Sequence, residues 1–210
     1  MGYLLIILAV LISVAVYLRV ISPFLTGKYL EGLIANEPQD SPALIPKALR
    51  AFMPRRCVLT SLSLPIPGRA GEEIAYGTVA VSRAGIFIVS RICGSGLIEN
   101  PPAEERWRFM SHGRVKEFPN PFREQADPRR LLALYAAAVG VENVKVHTLV
   151  VYTDGTLRFS HPPSKGTVHI SQIYKRMKKL SSKGRLSYKS VRAIANALND
   201  ADGGITPFAE

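Results

Sequence analysis

A chain of 210 residues suits one ordinary domain plus an appendage, and 47% hydrophobic residues supply a core, which excludes wholesale disorder. Lys and Arg number 27 against 16 Asp and Glu, and the resulting charge of +11 favours a polyanionic partner, either nucleic acid or an anionic membrane face. Cys57 and Cys93, the two cysteines, stand in no metal-ligand or CxxC spacing; both read as buried free thiols in strands, not as a zinc site or a disulfide framework.

In chain order, the first feature is apolar. Tyr3 to Leu18 is broken only by Ser13, and it reaches the roughly 17–25 residues of a membrane span if Arg19 snorkels. No Lys or Arg precedes the run and no small-x-small cleavage site follows, so residues 1–25 read as a retained single transmembrane helix and not as a secretory signal. Arg19 and Lys28 flank only its far end, which predicts a single-pass protein of the inner (cytoplasmic) membrane with its domain in the cytoplasm.

Residues 26–54 read as a polar linker and a juxtamembrane helix, the latter amphipathic from Ala43 to Phe52. Cys57 to Ile66 alternates as a half-buried strand. Strands are predicted at 73–82 and 85–93, joined across Arg83-Ala84. A Gly94-Ser95-Gly96 turn and a Pro-rich loop lead to short strands at Arg106–Ser111 and Arg114–Phe118. Asn120-Pro121 is a helix-start signal, and Leu131, Leu132, Tyr135 and Ala138 recur at helical spacing, with Gly140 ending the run. Lys145 to Thr153 is a buried strand; Ile170–Leu180 and Leu186–Leu198 are amphipathic helices. The order predicts an α/β domain over 55–180, one central mixed β-sheet flanked by helices, with a C-terminal basic helix and tail over 181–210.

Chemistry-bearing motifs are few. Residues 174–192 hold Lys175, Arg176, Lys178, Lys179, Lys183 and Arg185 and no acid, where a solvated face usually mixes signs; this is the candidate nucleic-acid-binding tract, with Tyr174 and Tyr188 placed to stack on bases or to face the core. His112, His147, His161 and His169 show no ligand or triad spacing, and there is no GxGxxG, Walker loop or GxSxG. Glu72-Glu73 and Glu104-Glu105 are adjacent carboxylates. Neighbours on a strand point to opposite faces, so Glu72 and Glu73 do not chelate together, and a loop-end solubility role suits both pairs.

Gly85-Ile86-Phe87-Ile88-Val89, the Gly-Ser-Gly turn, Trp107, the box Asn120-Pro121-Phe122-Arg123-Glu124-Gln125 and the strand Thr148–Tyr152 follow one another in an order that resembles the nuclease-related domain family, NERD, related to the PD-(D/E)XK nuclease fold. The likeness covers roughly 55–180. It implies that fold, and an active site with an Asp eight residues before the turn glycine and Glu-x-Lys five and seven residues after it. Those places hold Gly77, Ser90 and Ile92, so the resemblance implies a site whose metal cage and lysine are gone. Gln125 of the box remains, with Pro128 expected to kink or restart its helix. Arg91 projects to the other strand face and does not replace the lysine.

The expectation is therefore a membrane-anchored, catalytically degenerate nuclease-related domain. It would be a binding or scaffold module for DNA or a DNA-handling membrane complex, with no catalytic residue and no cofactor. Two alternatives stand beside it. One is a nuclease with a relocated site at Glu73, Glu99 or Glu124, which would need Mg²⁺; the other is a structural subunit of a secretion or conjugation apparatus that meets lipid or membrane-complex proteins.

Overall fold

The computed structural model describes residues 2–17, 28–33, 36–38, 40–69, 71–181, 184, 186–204 and 207–208. The first helix, α1 (Gly2–Val16), has 15 residues. At 1.5 Å per residue it is about 22 Å long, against a hydrocarbon core of about 30 Å. No helix among the described residues is long and apolar enough to cross a membrane. This corrects the single-pass anchor predicted over 1–25. The inner-membrane placement and cytoplasmic orientation fall with it, because the charge rule applies only to a segment that spans. Residues 18–25 of that predicted anchor, Arg19 among them, lie outside the described residues.

The rest is α/β, with mixed sheets flanked by helices. A short helix α2 (Leu44–Arg50) and a 3-10 turn (Arg55–Cys57) lead to β1 (Val58–Pro65), β2 (Glu73–Ser82) and β3 (Gly85–Ile92). Then come β4 (Leu97–Glu99), β5 (Arg106–Ser111), β6 (Arg114–Pro119), α3 (Ala126–Ala138), β7 (Val146–Tyr152), β8 (Arg158–Phe159) and β9 (Thr167–His169). Helices α4 (Ile173–Ser181) and α5 (Tyr188–Asp202) close the order. Two sheets form where one was expected: β1-β2-β3-β7-β9, and β6-β5-β4-β8. The first is antiparallel through β3 and parallel from β3 to β7 and β9.

Alternation along β3 divides the core. Ile86 and Ile88 face α3 and α5, in a cluster with Leu132, Tyr135, Ile194 and Leu198. Phe87 and Val89 face α2 and α4, with Leu44, Leu49, Ile173 and Met177. A third cluster around Trp107, with Ile92, Ile98, Val150 and Leu157, joins the two sheets. At about 1.5–3 kcal/mol for each fully buried large side chain, these clusters fix the strand registers. Cys57 is buried in the 3-10 turn and Cys93 half-buried just past β3, so both thiols fall outside the strands assigned to them.

The Asn120-Pro121 signal starts a turn and not the helix. Asn120 Oδ1 accepts from the Phe122 N–H at 3.0 Å and its Nδ2 donates to Glu104 O at 2.9 Å, while α3 begins at Ala126. Pro128 thus falls in the first helical turn, where a missing N–H costs nothing, and no kink or restart follows.

Candidate functional site

The β1–β2 ladder is interrupted once. It pairs Thr60 with Thr78 and Leu62 with Tyr76, and leaves out Ser61 and Gly77 between them. Ser61 sits at φ 55°, in the left-handed region, so β1 changes face there. Leu59, Leu62 and Leu64 all enter the first core, as do Val81, Val79 and Tyr76 opposite, and strict alternation fails at the same level in both strands. Ser61 and Gly77 both line a cleft of about 570 Å³ at this level.

The residues placed by the family resemblance meet at this cleft. Gly77, Ser90 and Gln125 all line it, although they come from β2, from β3 and from the residue before α3. Gly77 is exposed, and a Cβ built there meets nothing within 4 Å, so the space where a side chain would project is open. Ile92 does not join them. It is 8% exposed in the third core, beside Trp107 and Val150. Arg91, on the alternate face of β3, also lines the cleft, and its Nη1 donates to the carbonyls of Asp40 (2.8 Å) and Ser41.

A relay of hydrogen bonds that begins at a guanidinium fixes the wall. Arg129 donates through Nε (3.1 Å) and Nη2 (2.8 Å) to Thr148 Oγ1, and through Nη2 to Phe122 O (2.9 Å). The Thr148 hydroxyl donates to Gln125 Oε1 at 2.8 Å, and Gln125 Nε2 donates to Ser90 Oγ at 3.1 Å. Each acceptor is used in turn, which orients the Gln125 amide. Ser90 accepts in this chain, so its own hydroxyl proton is left for the cleft. Tyr76 closes the opposite side, its hydroxyl donating to Pro128 O at 2.9 Å, and burial pushes its ionisation well above the usual phenol range. The sequence did not single out Thr148, Arg129 or Ser61; only the fold brings them to Gln125 and Gly77.

The donor set does not fit a divalent cation. Among the described residues, Glu124 is the one carboxylate lining the cleft, and no three His, Cys, Asp or Glu side chains converge on a metal position. The relocated carboxylates are spread apart. Glu73 accepts from Ser63 Oγ at the start of β2, and Glu99 lies 3.9 Å from Arg108 in the second sheet.

The basic tract lies elsewhere. Helix α4 buries Ile173 and Met177 and exposes Lys175, Lys178 and Lys179, while Arg176 is half-buried with its Nε lacking a hydrogen-bond partner. None of the four lines the cleft. Lys183 and Arg185 lie outside the described residues. Lys178 Nζ sits 5.7 Å from the Tyr174 ring centroid, and the Arg83 guanidinium 5.3 Å from that of Tyr188. Of the histidines, His147 is stacked on Phe87 (centroids 4.9 Å, 24°); burial lowers its pKa, and Lys145, Arg176 and Arg129 push the same way against the Ala84 carbonyl.

No protein-family model, no curated protein and no solved structure matches this chain. The likeness to nuclease-related domains rests on the residues named above.

Proposed function

We propose that the chain is a catalytically degenerate nuclease-related domain that binds nucleic acid without cutting it. The observation that carries this reading is the convergence of Gly77, Ser90 and Gln125 on one open cleft, where the positions taken from the resemblance offer a hydroxyl and an amide, with Glu124 the single carboxylate among the described lining residues and Arg91 beside it. Metal-dependent phosphodiester cleavage needs carboxylates that hold a cation and so generate hydroxide. A hydroxyl and an amide hydrogen-bond a phosphate or a base edge but do neither of those things. The charge of +11 supplies the attraction that brings a polyanion to the surface.

The test uses the full chain with labelled single-stranded and duplex DNA and RNA. Binding should weaken steeply between about 50 and 200 mM salt, as counterion release requires. Incubation with Mg²⁺ or Mn²⁺ should leave the nucleic acid intact. Cleavage that a chelator abolishes would overturn the non-catalytic half of the reading, and absence of salt-sensitive binding would overturn the other half.

A further inference from the structure

A second recess, of about 280 Å³, lies away from the cleft, between the β2–β3 hairpin, α4 and α5. Its floor is apolar: Cys57, Val81, Met177 and Val191 are all buried. Its rim is aromatic and cationic. Tyr188, the first residue of α5, is 77% exposed and carries the Arg83 guanidinium over its ring. Across the recess Tyr174 is held edge-on to Phe52 (centroids 5.1 Å, 66°), with Lys178 near its face. A phenol ring exposed to that extent leaves most of its apolar area uncovered within the described fold, the Arg83 cation aside.

We propose that this recess is a stacking site for an unpaired base of single-stranded nucleic acid. Tyr188 provides the platform, and Arg83 and Lys178 meet the flanking phosphates. This rests on the nucleic-acid reading above and narrows it, placing the strand on the α4–α5 side and not in the degenerate cleft. Charge complementarity selects the occupant: an uncharged apolar ligand would leave Arg83 and Lys178 without an anion. Duplex DNA presents phosphates but keeps its bases stacked inside, so it reaches the two cations and not the ring or the apolar floor. Only a strand with bases free uses both.

The experiment compares a labelled oligothymidine with a duplex of equal charge on the full chain, by fluorescence anisotropy. Tyr188→Ala should weaken single-strand binding roughly 5- to 150-fold, the range of a lost base–aromatic stack, and leave duplex binding unchanged. Tyr188→Phe keeps the ring and should restore single-strand affinity. Lys178→Gln should reduce the salt slope by about one phosphate contact. A 2-aminopurine placed in the strand should lose emission on the wild type and keep it on Tyr188→Ala. Because Tyr188 is exposed, its truncation leaves the core intact, and circular dichroism checks this. Equal single-strand affinity for wild type and Tyr188→Ala, or no preference for single strand over duplex, overturns this site while the nucleic-acid reading stands. Failure of the wild type to bind either probe removes both.

Discussion

Gln125 donates its amide to Ser90 across the mouth of the β2–β3 cleft, at 3.1 Å, and Thr148 and Arg129 behind it leave that amide one orientation. Gln125 is 8% exposed, so the pair sits at the boundary between core and cleft. Replacing Gln125 with Leu strands the Thr148 hydroxyl and removes the donor to Ser90. A buried polar group left without its partner costs about 1–3 kcal/mol, and the urea midpoint of Gln125→Leu should fall accordingly. Ser90→Ala deletes the exposed end of the relay alone and should cost under about 1 kcal/mol. Equal losses for the two variants would mean that the relay does not carry the wall.

Restoring carboxylates tests whether the cleft keeps a nuclease geometry. Gly77→Asp places its side chain in open space, and Ser90→Glu projects from the neighbouring strand into the same cleft. The double variant should gain a Mn²⁺-dependent rise in melting temperature that the wild type lacks, since two carboxylates supply the hard oxygen donors the cleft now misses. Adding Ile92→Lys should unfold much of the gain, because that position is buried beside Trp107 and an unpaired ammonium there costs several kcal/mol, of order 3 or more. A double variant blind to Mn²⁺ would show that Gly77 and Ser90 do not face a common point.

Long apolar strands and amphipathic helices are legible in this sequence because their periodicity runs over whole elements. Strands β2 and β3, their Arg83-Ala84 turn, and α5 fall within a few residues of expectation. The strands β4, β8 and β9 have three, two and three residues, too few for any period to register, and without β4 and β8 the second sheet is invisible. Asn120-Pro121 sends one signal for two outcomes, since a side-chain cap closes a turn as readily as it opens a helix. The apolar N-terminal run records composition, whereas a span depends on helix length. At the site, the spacing from Gly85 located Gly77 and Ser90, but the kink at Ser61 has no sequence signature. Thr148 lies 23 residues beyond Gln125 and reaches it only through the pairing of β7 with β3, while Arg129, one helical turn on and bonded through its N–H to Gln125 O, shows its role only through Thr148.

The hairpin that carries Ser90 depends on Gly85. Its φ is +127°, and a Cβ there would run into the carbonyl oxygen of Lys145, the atom that accepts from the Ile86 N–H at 2.9 Å. Gly85→Ala therefore meets backbone strain and a clash together, and should cost about 3 kcal/mol or more. Gly68, at φ +77° with nothing within 4 Å of a built Cβ, is the control: Gly68→Ala should cost only about 1–2 kcal/mol. Chemical denaturation of both variants checks the difference, and equal midpoints would remove the close approach at Lys145 as the cause.

His147 makes stability fall on the acid side. Burial against Phe87 holds its pKa below the ordinary 6.5, and the charges of Lys145, Arg176 and Arg129 add to that, outweighing the bond from its Nε2 to the Ala84 carbonyl. A base with a lowered folded pKa takes up its proton more readily when unfolded, so the unfolded state binds more protons in the window between the folded value and 6.5. Stability then rises with pH through that window. The His147 contribution is complete above about pH 6.5 and is lost progressively as pH falls toward the folded pKa. Urea midpoints measured from about pH 7.5 down to about pH 5 should drop for the wild type. His147→Gln keeps an amide donor for Ala84 but does not titrate, so it should start from a lower midpoint, having lost the stack on Phe87, and show a shallower slope. Parallel slopes for the two proteins would place the acid sensitivity on other groups.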